Sequence, residues 1–251
     1  MRNSVEFKTW GRYALFTDPL TKIGGEKYSY QIPTYEALKG ILSSVYWKPT
    51  IIWYIDKMRV MKPIKTQTRN NKPLNFGGIY PSAKNPAKKE EPFNDLAMYT
   101  YLADVEYQVL AHFDWNYNRS DLSHDRNEHK HHNIAKRMIE RGGRRDVFLG
   151  TRECQGYVEP CTFGEGKSEY DNYGELAFGL MFHGFDYPDE SKEQDKFHAR
   201  FWRPKMVNGI VEFPSPNDEK SIIRKFVRPM KPNPPDTIGL NEEGLLEEGS
   251  M

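Results

Sequence analysis

The stretch Val105–Asn116, VEYQVLAHFDWN, decides how the rest of the chain is read. Val105, Tyr107, Val109, Ala111, Phe113 and Trp115 fall on one side of it, and Glu106, Gln108, Leu110, His112 and Asp114 on the other. A period of two is that of a strand with one face buried. His112 then reads as a solvent-face strand residue without a chemical role.

Upstream, SVEFKTWGRYALF has strand character on both sides of Gly11, which is expected to mark a bulge. Residues 17–33 read as a loop with a Gly-Gly pair between Lys22 and Lys27. From Thr34, helical spacing puts Tyr35, Leu38, Leu42, Val45 and Tyr46 on one face, and Pro49 marks the stop. TIIWYIDKMRVMKPI is β-branched and aromatic and reads as a strand; residues 66–98, rich in Pro, Gly, Asn and Lys, read as a loop or insertion. Downstream, HNIAKRMIERGG reads as a second helix with the stripe Ile134, Met138, Ile139 and a Gly142–Gly143 end. More strands follow, with Asn208-Gly209 as a hairpin turn. After Pro214 the chain reads as a Pro-rich, then acidic, tail.

The order β, α, β, β, α, β, then antiparallel β, predicts an α+β protein. Its first part is a split βαβ of the ferredoxin-like (RRM-like, βαββαβ) kind. The expected organisation is residues 1–160 with an insertion at about 70–97, a small antiparallel β domain at 161–215, and a tail at 216–251. That arrangement hosts many functions and argues for none alone.

The chain has 251 residues and a formal net charge of +1, but the charge is segregated. Residues 1–89 carry 16 Lys and Arg against 5 Asp and Glu, residues 90–125 carry 1 against 8, 126–145 carry 7 against 2, and 146–251 carry 12 against 20. Two basic regions and an aromatic content of 14% suit a polyanion whose bases can stack. Two cysteines, Cys154 and Cys161, give neither a disulfide framework nor a zinc-knuckle spacing. The start has no apolar targeting segment and no run reaches membrane-spanning length, so a soluble protein of a reducing compartment is expected.

Asp125–Asn133, DRNEHKHHN, concentrates the candidate chemistry. His129, His131 and His132, with Asp125 or Glu128, could be read as metal ligands. Adjacent histidines point in different directions in most backbones, and no HExxH spacing is present, so no metal or other cofactor is expected. An acid–base site and a solvated helix start remain. Tyr46, by its spacing alone, is a core residue whose ring is buried and whose hydroxyl can reach the surface.

ALFTDPLTKIGGEKYSYQIPTYEALKGILSSVYWKPT and DRNEHKHHNIAKRMIERGGRRDVFLGTRECQGYV resemble the type I-C (Dvulg subtype) CRISPR-associated Cas-five family, part of the RAMP superfamily. The resemblance covers most of residues 1–215. It implies the ferredoxin-like domain and the small β domain after it. It also implies a metal-independent endoribonuclease that cleaves CRISPR repeat RNA at the 3′ base of its stem-loop. Such a protein then stays on the 5′ handle of the crRNA as a subunit of the type I-C surveillance (Cascade) complex, beside the backbone and large subunits. A monomer when isolated, a prokaryotic cytoplasmic location and no membrane partner follow from the same resemblance. The family's catalytic trio falls on Tyr46, Lys130 and His131; here the Lys-His pair stands inside HKHHN, between His129 and His132. The alternative is a structural subunit that caps the handle without cutting, as other members of the wider family do.

The residue types fit that chemistry. Metal-free RNA cleavage needs a group to take the 2′ proton, a cation for the phosphorane, and an acid for the leaving 5′ oxygen. Histidine gives and takes protons near neutral pH. Lysine supplies fixed positive charge. Tyrosine orients the 2′-OH, or acts as base if its pKa falls well below ~10. RNA contacts are expected from Lys22, Gly24, Gly25 and Lys27, where backbone amides and ammoniums meet phosphates, and from Arg126, Arg144 and Arg145. Gly142–Gly143 with the two arginines resembles the glycine-rich loop of RAMP proteins; it equally fits a helix cap before a charged strand. The aromatic signature of RRM domains is absent.

Overall fold

The structure, a computed structural model, describes residues 3–19, 21, 26–73 and 96–232. Lys22, Gly24, Gly25, most of the expected insertion and the end of the expected tail lie outside the described residues. In order, the elements are β1 (Ser4–Ala14), β2 (Lys27–Tyr28), α1 (Tyr35–Val45), β3 (Ile51–Val60), β4 (Thr66–Asn71), β5 (Ala97–Trp115), α2 (Glu128–Glu140), β6 (Val147–Phe148), β7 (Gln155–Pro160), β8 (Glu175–Ala177), β9 (Met181–Asp186), β10 (Lys196–Trp202), β11 (Lys205–Val207), β12 (Ile210–Glu212) and β13 (Ile223–Pro229).

The result is a mixed α/β protein dominated by antiparallel sheet. Its main sheet runs β6-β7-β1-β5-β3-β12-β11-β8, and a second, three-stranded sheet runs β13-β10-β9. β5 lies at the centre, antiparallel to β1 on one side and β3 on the other. Its predicted inward residues Val105, Tyr107, Val109, Ala111 and Phe113 are buried. They meet Leu38, Leu42 and Val45 of α1 and Ala135 and Ile139 of α2 in one core. Burying each Leu- or Val-sized side chain contributes about 1.5–3 kcal/mol, which holds the two helices on that face.

β5 is longer than the alternation shows. Positive φ at Asp104 (53°) separates the alternating half from Ala97–Ala103, which pairs with β4 and β2. His112 is half-buried, stacked on Tyr54 and ion-paired with Asp56 at 2.8 Å, and that hydrogen bond raises its pKa. Gly11 sits in an unbroken register, not a bulge. A Cβ there would stand 2.7 Å from Leu149 Cδ1 and 2.9 Å from the Gln155 carbonyl, so close approach of β7 demands the glycine. Asn208 and Gly209 have positive φ (47° and 82°), as the hairpin turn predicts. Ile223–Pro229, within the expected tail, form β13 against β10.

The sheet face opposite the helices is partly covered by the segment after β7. Arg59, buried on β3, donates to the carbonyls of Glu165 and Gly166 and to Asp171, and Gln108 on β5 donates to the Glu165 carbonyl. A buried guanidinium with these partners satisfied ties that loop down.

Candidate active site

Thr34 caps α1 by accepting from the Ala37 amide. The helix ends one residue earlier than the spacing predicts: Tyr46 is its C-cap, with extended backbone (φ −156°, ψ 124°). The Tyr46 amide still donates to the Leu42 carbonyl, and its own carbonyl accepts from Trp53 Nε1 at 2.7 Å. Those two bonds aim the ring away from the helix axis, towards α2.

α2 begins earlier than predicted. Asn127 is its N-cap, accepting from the Lys130 amide at 3.0 Å, so HKHH forms the helix's first turn rather than a segment before it. Helical geometry then sorts the cluster. His131 shares a face with Ala135 and Ile139 and is buried, His132 is half-buried, and His129 and Lys130 face solvent. Among the described residues no group of three or more His, Cys, Asp or Glu is arranged to hold a metal.

Tyr46 Oη lies 2.7 Å from His131 Nδ1. His131 Nε2 lies 2.8 Å from the Asp125 carbonyl oxygen, which can only accept. Nε2 therefore carries the imidazole proton, and Nδ1 accepts from the Tyr46 hydroxyl. The imidazole is ringed by Phe113 and Trp115. It is 0% exposed and Tyr46 is 2% exposed, so the pair is closed to water. Burial first, then the Asp125 charge, push the Tyr46 hydroxyl up to about 12, against the lowering effect of Arg144.

Asp125 organises the surroundings of the pair. Its carboxylate pairs with Lys130, accepts from Thr50 Oγ1 at 2.7 Å and stands 3.4 Å from His131 Nε2. Burial alone would raise Asp125, but the bonds from Lys130 and Thr50 outweigh it and hold its carboxyl below the usual range. Sequence reasoning did not single out Asp125 or Thr50 for this role; only the folded connection at the end of β5 brings them to the pair.

Gly142 and Gly143 leave α2 with φ of 87° and 112°, conformations open to glycine. The next two amides, of Arg144 and Arg145, donate to the carbonyls of Val45 and Ser44 at 3.2 and 3.1 Å. The glycine turn thus docks on the end of α1, beside Tyr46, with both arginines exposed. Arg126 is instead engaged internally, donating to the carbonyls of Asn116 and Arg119 and lying 5.0 Å above the Tyr117 ring. Lys27 lies on β2, pairing with the first half of β5, whereas the tyrosine–histidine pair stands at that strand's other end.

Fold and site together define a mixed α/β protein, built on antiparallel sheet, that carries a buried tyrosine–imidazole pair beside an exposed ammonium. A family model described as "CRISPR-associated protein (Cas_Cas5)" matches residues 4–214, and the chain belongs to that family, in its Cas5d branch. It is 29% identical over 232 residues to a CRISPR pre-crRNA endoribonuclease Cas5d of Mannheimia succiniciproducens, covering 85% of this chain and 96% of the relative. It is 24% identical over 223 residues to the protein of the same name from Thermus thermophilus, covering 84% and 91%. The crystal structure of a CRISPR-associated protein superposes with a TM-score of 0.65 at 30% identity, over 88% of this chain and 96% of that one. A functionally uncharacterized protein from Streptococcus mutans gives 0.65 at 34% identity, with the same coverage.

Proposed function

We propose that the chain is a metal-independent endoribonuclease. It cleaves CRISPR repeat RNA at the 3′ base of the stem-loop and stays on the 5′ handle within a type I-C surveillance complex. The observation that carries the reading is the 2.7 Å contact from Tyr46 Oη to His131 Nδ1, with Lys130 on the next residue of the same helix. The names of the Mannheimia and Thermus relatives support the substrate class. The order β7-β1-β5-β3, with a helix in each crossover, supports the ferredoxin-like reading of the main sheet.

The geometry refines the roles. A tyrosine pushed up to about 12 is a poor resting base. Tyr46 therefore works as a relay: its oxygen takes the 2′-OH proton as its own proton passes to His131 Nδ1. The 2′ oxygen attacks the adjacent phosphorus and the bond to the 5′ oxygen breaks. The proton returns from the imidazolium through Tyr46 to that leaving oxygen. The upstream product carries a cyclic 2′,3′-phosphate and the downstream product a 5′-hydroxyl. Asp125, at His131 Nε2, steadies the transient imidazolium. Lys130 leaves Asp125 for the phosphorane, where charge develops. Arg144 and Arg145 meet flanking phosphates.

A second reading has its own observation. Tyr46 and His131 are both closed to water, as a structural tie between α1 and α2 would be, and the protein would then hold the handle without cutting. Purified protein with excess EDTA and its cognate repeat RNA separates the two. The unmodified repeat should be cut. A repeat with one 2′-deoxy sugar 5′ of the scissile phosphate should bind with a loss of about 0.5–3 kcal/mol at most and stay intact. Normal cutting of the deoxy substrate sinks the mechanism; an intact unmodified repeat favours the structural reading. Activity lost to EDTA and restored by a divalent ion points to a metallonuclease.

A further inference from the structure

A second group of cations stands at the opposite end of β5 from the tyrosine–histidine pair. Lys27 of β2 and Arg69 of β4 both register with Tyr99 of β5, one strand on either side. Strands lie ~4.8 Å apart, so the roots of these two cations are ~10 Å apart. The Lys27 ammonium lies 4.5 Å from the centre of the Tyr99 ring. The Arg69 guanidinium lies 4.4 Å from that of Tyr13 and donates to the Tyr13 hydroxyl at 2.9 Å. Arg12 lies 5.3 Å from the same ring. Tyr101, buried, packs against both Tyr13 and Tyr99 and fixes their rings.

Arg12, Lys27 and Arg69 form no ion pair with a described carboxylate. Glu153 is held below the ordinary carboxylate range chiefly by the Thr151 hydroxyl, with the Lys27 charge a smaller cause. Three cations held on rigid rings, in the first 89 residues with 16 basic against 5 acidic, are oriented without an ion pair to any described carboxylate. Tyr99 is 16 residues from Trp115, so at ~3.3 Å per residue the surface is ~50 Å along the strand from the catalytic end.

We infer that Arg12, Lys27 and Arg69, seated on Tyr13 and Tyr99, form a second contact surface for single-stranded RNA, binding its phosphates remote from the cut. The inference rests on the RNA-processing reading for its natural ligand, but not for its test. The rings are already covered by the protein's own cations, so the surface reads backbone charge rather than bases, and it is indifferent to sequence.

The test is the salt dependence of binding, read by fluorescence anisotropy with two probes: catalytically blocked 2′-deoxy repeat RNA and a 20-nucleotide oligouridylate. Arg12→Ala with Lys27→Ala and Arg69→Ala should lower the slope of log K against log salt by about 2, at ~0.7 for each single-strand phosphate. Between 50 and 200 mM salt the wild type should thus lose about 16-fold more affinity than the triple variant. The charge-preserving set Arg12→Lys, Lys27→Arg and Arg69→Lys should keep most of the slope, which separates lost charge from lost fold. An unchanged slope for the alanine variant with both probes overturns the inference while leaving cleavage of the repeat intact. A wild type that never cuts the repeat, with the slope still lost on oligouridylate, overturns the function and keeps the surface. If the triple variant loses poly-glutamate and retains RNA, the surface takes an acidic protein instead, and the inference falls.

Discussion

Tyr46→Phe is a narrow perturbation, because only the hydroxyl leaves. The backbone at position 46 still donates to Leu42 and still accepts from Trp53 Nε1, so the end of α1 keeps its cap. What changes is that His131 Nδ1, in a site closed to water, loses its donor. An orphaned buried acceptor costs about 1–3 kcal/mol of stability. His131→Ala loses the same bond, leaves the Tyr46 hydroxyl and the Asp125 carbonyl without that partner, and empties the space against Phe113 and Trp115. It should cost about 2–5 kcal/mol. Since both substitutions delete one shared interaction, the double variant should be less destabilised than the sum, by about 0.5–3 kcal/mol. Urea unfolding at pH 7, with unchanged m-values, measures this. Single-turnover cleavage of repeat RNA measures the matching kinetic cycle. Each single variant should be slower by about 10²–10⁴-fold, and the double no more than about tenfold slower than the worse single, as for groups that act as a unit. Additive stability losses and multiplying rate losses would refute the relay, since two independent residues behave that way.

Other consequences follow from the same geometry. His183, buried on β9 and stacked on Tyr35, has its pKa lowered from 6.5 to about 3, first by burial and then by the Arg200 charge. The unfolded chain takes up a proton below about pH 6.5 that the folded one refuses, so stability should fall as pH drops from 6.5 towards 3. His183→Phe should flatten that acid limb in urea titrations at pH 7, 5.5 and 4.5; a limb of unchanged steepness excludes His183 as its source. Arg144→Ala with Arg145→Ala should lower the salt slope of repeat binding by up to about 1.4 while the bound complex still cuts; an unchanged slope removes both arginines from the RNA surface. Gly150, at φ 98°, lies so close to the Leu15 carbonyl that a Cβ would overlap it, so Gly150→Ala should cost more than the ~1 kcal/mol of an ordinary glycine replacement. A melting temperature within a degree of wild type contradicts that packing.

The sequence is legible where burial is one-sided and periodic. Val105–Phe113 faces helices on one side only, so its alternation is clear, and the apolar stripe of α1 is equally plain. β4 is exposed along almost its whole length, and TQTRNN carries no burial pattern to read. β13, IRKFVRP, is likewise exposed, and its proline and basic residues resemble a tail more than a strand. In HKHHN the type of chemistry is visible but its direction is not, because five polar residues give no apolar face. The i, i+4, i+8 series His131, Ala135, Ile139 does point His131 inward once the helix is started at Asn127. Reading the helix from His132 removes that clue. The role of Asp125 beside the pair was hidden for another reason: Thr50, 75 residues away, reaches it from the end of the first of the two crossovers.

Those crossovers explain why residues 85 positions apart meet. β3 is antiparallel to β5, with Ile51 opposite Trp115, and the Asn116 amide donates to the Thr50 carbonyl at 2.8 Å. The start of β3 and the end of β5 therefore share one end of the sheet. α1 must finish there, because it leads into β3, and α2 must begin there, because it follows β5. The C-cap of α1 and the first turn of α2 are brought together by connectivity before any side chain is chosen. The positive end of the α2 backbone dipole points to the same place, which suits the Asp125 carboxylate now and a transferring phosphate in the proposed reaction. The position of the pair is thus tied to the register between β3 and β5. That register holds apart from a bulge between Ile55 and Lys57, well inside the strand and away from the site. A one-residue slip of β3 would turn Trp53 out of the core and carry Tyr46 away from α2, so the packing of the core and the geometry of the site select the same alignment.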